Sequence, residues 1–131
     1  MIVIDTSALI AILNNEPERH ALMTAIAADE RRLLSAVNLL EALMVMRGRY
    51  GESGRDDLES LIGAIEPEVV PFDETQARRA FAAFTAYGKG INPATKLNLC
   101  DCIAYALSKN FDAPLLFKGD DFRATDVVSV L

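Results

Sequence analysis

The opening Met1-Ile-Val-Ile-Asp5-Thr6-Ser7-Ala-Leu-Ile10 constrains the fold more than any other stretch. An apolar, β-branched triplet runs directly into a carboxylate and two hydroxyls, and an apolar helical run follows at once. Such a junction sets Asp5 at the carboxyl end of a strand and at the mouth of a helix. In open α/β sheets that edge is where ligands and chemistry collect.

The strand-then-helix pattern continues along the chain. Ile2 to Ile4 predicts a strand, and Ser7 to Asn15 a helix with Leu9, Ile10, Ile12 and Leu13 as its apolar stripe. Asn14-Asn15-Glu16-Pro17 breaks it, and Pro17 suits the first turn of a second helix reaching about Ala28. Leu33 to Ser35 is a second strand. Val37 to Arg49 is a long helix, capped by Ser35 or Asn38 and followed by Gly51. Ser53 to Ile65 is a further helix and Glu68 to Val70 a third strand. Asp73 caps a helix over Glu74 to Tyr87, where Ala77, Ala80, Phe81 and Phe84 share a face. Gly88 to Asn98 is the longest loop, rich in turn residues and carrying Lys89 and Lys96; long ordered loops are often functional. Leu99 to Asn110 is a helix, Leu115 to Phe117 a fourth strand, Lys118 to Phe122 a turn and Val127 to Leu131 a last strand. The alternation predicts an α/β fold: a mostly parallel central sheet flanked by helices in three layers. A chain of 131 residues suits one domain, 1–131, with a single sizeable core.

Composition removes several classes of function. Hydrophobic residues make up 51%, too many for a disordered chain. Charged or polar residues interrupt every apolar run before it could cross a bilayer, and the N-terminus has the pattern of a strand, not of a signal peptide. A cytoplasmic protein is expected. Cys100 and Cys102 stand two apart in a helix, where neighbours do not face each other, so they are expected to be reduced. With His20 as the one histidine, the chain lacks the ligands for a soft-metal site. The formal net charge of −6 argues against a simple nucleic-acid-binding module, whose affinity comes from neutralised phosphates. It argues less against a nuclease, because carboxylates gathered to hold a divalent cation enter the same sum.

Four acidic positions stand out. Asp5 follows the first strand, where it serves equally as a helix cap. Glu41 lies among Val37, Leu39, Leu40, Ala42, Leu43, Met44 and Val45, so it faces water in a solvated stripe with Asn38, a partner, or a site. Asp101 sits in the first turn of an apolar helix, where the dipole alone favours an anion. Asp120 and Asp121 follow the fourth strand in what is also an ordinary Gly-Asp turn. If the sheet is parallel, these acids meet at one edge. Carboxylates gathered there repel and their pKa values rise, and a hard cation bound through oxygen removes the conflict. The chemistry expected is hydrolysis of a phosphodiester without a covalent enzyme intermediate. Thr6 and Ser7 are expected to support the carboxylates or to cap the first helix.

With those residues in hand, the chain resembles a PIN-domain ribonuclease, specifically a VapC-type toxin of a type II toxin–antitoxin pair. The resemblance runs through Val3-Ile-Asp-Thr-Ser-Ala-Leu9, Asn38-Leu-Leu-Glu-Ala42, Pro71-Phe-Asp73, Gly88-Lys-Gly90, Asp101-Cys-Ile-Ala-Tyr-Ala106, Leu115-Leu-Phe-Lys-Gly-Asp-Asp-Phe122 and Thr125-Asp126. It implies a PIN-like fold and Mg²⁺ or Mn²⁺ dependence. It implies Asp5, Glu41 and Asp101 as the acidic metal-binding set, with a fourth acid from Asp120 or Asp121, Asp121 being favoured. Cys100 departs from the glycine that similar sequences often carry before the Asp. The resemblance further implies an RNA substrate, a homodimer and a cognate VapB-type antitoxin. Arg47, Arg49, Lys89, Lys96 and Lys118 are candidate contacts for RNA phosphates, although for any single one of them ordinary surface charge is the favoured reading. Two alternatives belong to other classes. One is a haloacid-dehalogenase-type phosphatase with Asp5 as nucleophile, which Ser7 disfavours because that chemistry usually wants a second Asp there. The other is a non-catalytic interaction module with the same fold.

Overall fold

The computed structural model describes residues 1–91 and 93–131. Asn92, within the predicted Gly88–Asn98 loop, lies outside the described residues. The elements run β1 (Ile2–Ile4), α1 (Thr6–Leu13), α2 (Arg19–Ala27), β2 (Arg32–Ser35), α3 (Ala36–Ile65), β3 (Glu68–Val70), α4 (Glu74–Tyr87), α5 (Leu99–Phe111) and β4 (Leu115–Leu116). The strands form one sheet in the order β3-β2-β1-β4, and every adjacent pair is parallel.

The strands' side chains alternate between two apolar layers, as a pleated strand requires. Ile2, Ile4, Leu34 and Leu116 pack into a core with Ala8, Leu9 and Ile12 of α1, Leu22 and Ile26 of α2, and Ala42, Met46, Leu58 and Ile65 of α3. Val3, Leu33, Val70 and Leu115 face the other way, onto Ala80 and Ala83 of α4 and Ala104, Ala106 and Leu107 of α5. Because both faces are covered there, the central strand β1 and its neighbour β4 read as unbroken apolar runs. The three-layer parallel architecture expected from the sequence is therefore present.

Local chemistry sets the boundaries. The expected long helix and the one after it are both present, as the two arms of α3, which meet at a kink where Gly51 takes a non-helical φ of 69°. That left-handed backbone is why glycine stands there. Ser35, not Asn38, caps α3: its Oγ accepts from the Val37 N–H at 3.3 Å. Pro17 precedes α2 instead of lying in its first turn. The expected last strand over Val127 to Leu131 is reduced to one parallel bridge, Leu115 to Ser129. The Leu115 N–H donates to Val128 O, the Val130 N–H donates to Leu115 O, and pairing stops there. Of the shared face expected in α4 only Ala80 is buried: Phe81 is 67% exposed, Ala77 and Phe84 are also exposed, and the core contacts come from Ala80 and Ala83.

Arg32, at the start of β2, ties two helix ends to the sheet. Its Nε donates to Ile26 O at 2.8 Å and its Nη1 to Ile65 O at 2.7 Å. Those are terminal carbonyls of α2 and α3, which lack intrahelical donors. Arg32→Met is expected to lower unfolding free energy by about 2 kcal/mol or more in urea titration, and Arg32→Lys to rescue little because only the guanidinium forks to two acceptors. A loss within error for Arg32→Met would contradict the assignment.

Candidate active site

Parallel β-strands followed by helices deliver loops and helix starts to one edge of the sheet. Here α1 and α3 leave β1 and β2 at that edge, and α5 begins there before its chain enters β4. Three helix N-termini, each a partial positive charge, thus point at one region.

Asp5 is the residue just past β1. Its N–H makes a last ladder bond to Leu116 O at 2.9 Å, and its Oδ2 accepts from the Ser7 N–H at 3.0 Å as the cap of α1. The side chain is only 3% exposed. Burial pushes its pKa up to about 6, against the bonds from Ser7, with the Glu41 charge adding to the rise. Asp101 is the third residue of α5 and half of a reciprocal capping box. Its N–H donates to Asn98 Oδ1 at 2.9 Å and its Oδ2 accepts from the Asn98 N–H at 3.1 Å. Burial pushes it up to about 7, opposed by the Asn98 N–H and helped by the charges of Asp5, Asp121 and Glu41.

The capping reading of both acids therefore holds, and it leaves them free to line a site as well. Asp5 and Asp101 cap their helices, and each also opens onto a shared cleft of about 480 Å³. Glu41, in the second turn of α3, lines that cleft and is partly exposed. The expected water-facing pair of Glu41 with Asn38 is not formed, because Asn38 is fully buried. Instead the Asn38 Nδ2 donates to Thr6 Oγ1 at 3.3 Å and to Cys100 O at 3.2 Å, while Thr6 Oγ1 donates to Asn38 O at 3.0 Å. Asn38 thereby ties α1, α3 and α5 together directly beneath the acids. The Cys100 thiol lies against Glu41 and is pushed up to about 12 by burial, by the bond to Glu41 and by the surrounding carboxylates, so it stays protonated. Cys100 and Cys102 are both free thiols.

Thr6 and Ser7 also line the cleft, with Asn14, Glu16, Arg49 and Lys118. Ser7 Oγ accepts from the Lys118 N–H at 3.0 Å and fixes the segment leaving β4 against α1. The doubled acid of that segment divides. The Asp121 charge acts on Asp101, whereas Asp120 pairs with Arg123 at 2.7 Å and lines a neighbouring cleft. Of the basic candidates, only Arg49 and Lys118 reach the acid cleft. Arg47 pairs with Glu52 at 2.7 Å on another face of α3, and Lys89 and Lys96 line a separate hollow in the Gly88–Asn98 loop.

Sequence reasoning missed Glu16, Asn14 and the role of Asn38. The Asn-Asn-Glu-Pro stretch was legible as a helix break. Asn15, however, takes a left-handed φ of 53°, the Asn15 N–H donates to Ile12 O, and the Glu16 N–H donates to Ala11 O. This αL helix ending swings Glu16 back over the cleft.

The donor set is all oxygen: Asp5, Glu41, Asp101 and, near them, Asp121. Among the described residues no three His, Cys, Asp or Glu groups converge as a ready-made ligand cage. A hard divalent ion is ordinarily held by one or two carboxylates with waters completing its shell, so the residues present fit such an ion. Two carboxylates raised by burial and by neighbouring acidic charge are also what a cation would relieve.

A model of the PIN domain matches residues 2–128. The chain belongs to the PIN domain family. It is 42% identical over 128 residues to ribonuclease VapC30 of Mycobacterium tuberculosis, covering 98% of this chain and 97% of that protein. It is 44% identical over 128 residues to ribonuclease VapC of Mycolicibacterium smegmatis, covering 98% of each. Among solved structures, M. tuberculosis VapC20, a Sarcin-Ricin loop cleaving toxin, superposes with a TM-score of 0.79 at 14% identity, covering 98% of this PIN domain and 97% of that chain. VapBC2 from Rickettsia felis, bound to a promoter DNA fragment, gives 0.76 at 14% identity, covering 98% and 96%.

The raised carboxylates fix how stability of the metal-free PIN domain depends on pH. The folded state binds protons on Asp5 and Asp101 more tightly than the unfolded chain does. That contribution is complete below their ordinary value of 3.8 and is lost as pH climbs through about 6 and about 7. Asp29, Glu68 and Asp126 shift downward and titrate below that window. In EDTA the melting temperature is expected to fall between about pH 5 and about pH 8. Mn²⁺ is expected to restore it at the upper end, and Asp5→Asn with Asp101→Asn to flatten the profile. A melting temperature that rises across this window would contradict the electrostatics.

Proposed function

We propose that this chain is a metal-dependent endoribonuclease toxin of the VapC type, hydrolysing phosphodiester bonds of RNA and held in check by a cognate VapB-type antitoxin. The observation that carries the reading is the cleft in which Asp5, Glu41 and Asp101 meet, in a chain matched nearly end to end by curated VapC ribonucleases. The names of the fold neighbours, a Sarcin-Ricin loop cleaving toxin and VapBC complexes, support the RNA and antitoxin parts of the reading.

In this mechanism Asp5, Glu41 and Asp101 hold Mg²⁺ or Mn²⁺, with Asp121 as the fourth acid and Asp120 outside the set. When bound, the cation supplies Lewis acidity to a phosphoryl oxygen and lowers the pKa of water. The chain's own residues set the geometry. The Ser7 N–H fixes one oxygen of Asp5, the Asn98 N–H fixes one oxygen of Asp101, and each leaves the other oxygen of its carboxylate unclaimed by that bond. Glu41, the most exposed of the three, orients the attacking water. Asn38 and Thr6 hold the three helix starts in register. Arg49 and Lys118 face the cleft as phosphate contacts, offsetting the repulsion between an acidic protein and RNA.

The homodimer and cytoplasmic parts belong to the same proposal. An apolar groove between α4 and α5, with Phe81, Phe84 and Leu99 exposed beside Ala77 and Ile103, supports association through that face. Among the described residues no helix is long and apolar enough to cross a membrane. The phosphatase alternative gains no support: Ser7, two positions after Asp5, uses its hydroxyl to receive the Lys118 N–H.

Cleavage of a panel of single-stranded and structured RNAs in Mn²⁺ tests the proposal. Asp5→Asn, Glu41→Gln and Asp101→Asn are each expected to slow cleavage by about a hundredfold or more, the scale of a lost electrostatic contact to the transition state. EDTA is expected to abolish it. Asp121→Asn is expected to slow it and Asp120→Asn to leave it near wild type. Cleavage unchanged in EDTA and in Asp101→Asn would overturn the metal-carboxylate mechanism.

A further inference from the structure

Lys118 occupies an unusual position. It lines the acid cleft and also the neighbouring cleft of about 530 Å³, so it forms the wall between them. Its ammonium is paired with Glu16, which lines the acid cleft, and stands 3.8 Å from Glu18, which lines the other. Its backbone is fixed independently by the bond from its N–H to Ser7 Oγ, so the side chain can turn without moving the loop. Glu16 is itself presented by the left-handed Asn15 and the Glu16 N–H bond to Ala11 O. Arg49, the other cation on the acid cleft, has no ion-pair partner among the described residues. Two cations thus flank the acids, one of them held by a carboxylate that needs nothing from the metal set.

We propose that Glu16 is a positioning residue: it holds the Lys118 ammonium at the cleft wall and yields it to a phosphate of the RNA strand next to the one cut. The proposal rests on the ribonuclease reading. The pair is part-buried, with the Lys118 and Glu16 side chains 35% and 28% exposed, so water still reaches it and a phosphate can exchange for the carboxylate. A phosphate arriving at the wall competes with Glu16 for the same ammonium, so the acid sets a cost on every polyanion that takes the lysine, and further contacts along the cleft must offset it. A strand seated across the cleft takes the lysine in a fixed place. The pair is a selectivity element, acting through Lys118 and not on the reacting atoms.

The test is binding of a labelled single-stranded RNA by fluorescence anisotropy across a KCl series, in an Asp101→Asn background that prevents cleavage. Lys118→Met is expected to weaken binding and to reduce the log–log salt slope by about 0.7, the value for one lost phosphate contact on a single strand. Lys118→Arg is expected to retain the slope. Glu16→Gln is expected to tighten binding several-fold, and to have no effect once Lys118→Met is present. An unchanged slope in Lys118→Met, or a Glu16→Gln gain of the same size with and without Lys118, would overturn the proposal, the second because it reveals simple repulsion of RNA by Glu16. Absence of RNA binding would overturn it as well. RNA binding without cleavage by the wild-type chain would instead overturn the ribonuclease reading alone.

Discussion

Two carboxylates, Asp5 and Asp101, are buried at one end of a parallel sheet within reach of each other's charge, and the surrounding edge is built to keep them there. Left to itself such a pair is driven toward protonation. Three features hold it in place. Each acid accepts a backbone N–H at a helix start, three helix N-termini face the region, and Asn38 clamps the Thr6 and Cys100 segments together beneath. Asn38 is fully buried, so its carboxamide bonds are formed without competition from water and fix the distance between α1 and α5. The shape of the cleft follows from that clamp.

The sheet serves the same end. Parallel order β3-β2-β1-β4 brings the exits of β1, β2 and β4 to one side. Arg32 holds the far ends of α2 and α3 at the opposite edge. The apolar layers on both faces leave the sheet nothing to do at its surface, so chemistry collects at its end. The PIN domain carries a net charge of −6, yet the cleft is bounded by Arg49 and Lys118, the arrangement an acidic protein needs to approach a polyanion.

Much of this was legible in the sequence, for identifiable reasons. The triplet Ile2 to Ile4 followed by Asp5 encodes a strand exit by pattern alone, and Glu41 stands out because its neighbours are apolar. Asp73 and Ser35 are capping residues at capping positions. What was not legible depends on tertiary placement. Asn38 looked like a cap or a surface partner of Glu41, because nothing local tells a buried carboxamide from a wet one. Asn15 and Glu16 looked like a break, because the left-handed turn that aims Glu16 at the cleft shows only in three dimensions. Asp120 and Asp121 are adjacent and alike in sequence; the turn at Gly119, with φ 103°, leaves only Asp121 where its charge reaches Asp101. The weak pairing of Ser129 with Leu115 failed to become a strand because one bridge gains too little to order five residues.

Binding of a divalent cation at this edge is proposed to need Asp5 and Asp101 together. Calorimetric titration of Mn²⁺ into the wild-type chain and into Asp5→Asn and Asp101→Asn measures it most directly. Saturable binding to wild type is expected, weakened about tenfold or more in each variant. Binding of equal strength to all three proteins would contradict it.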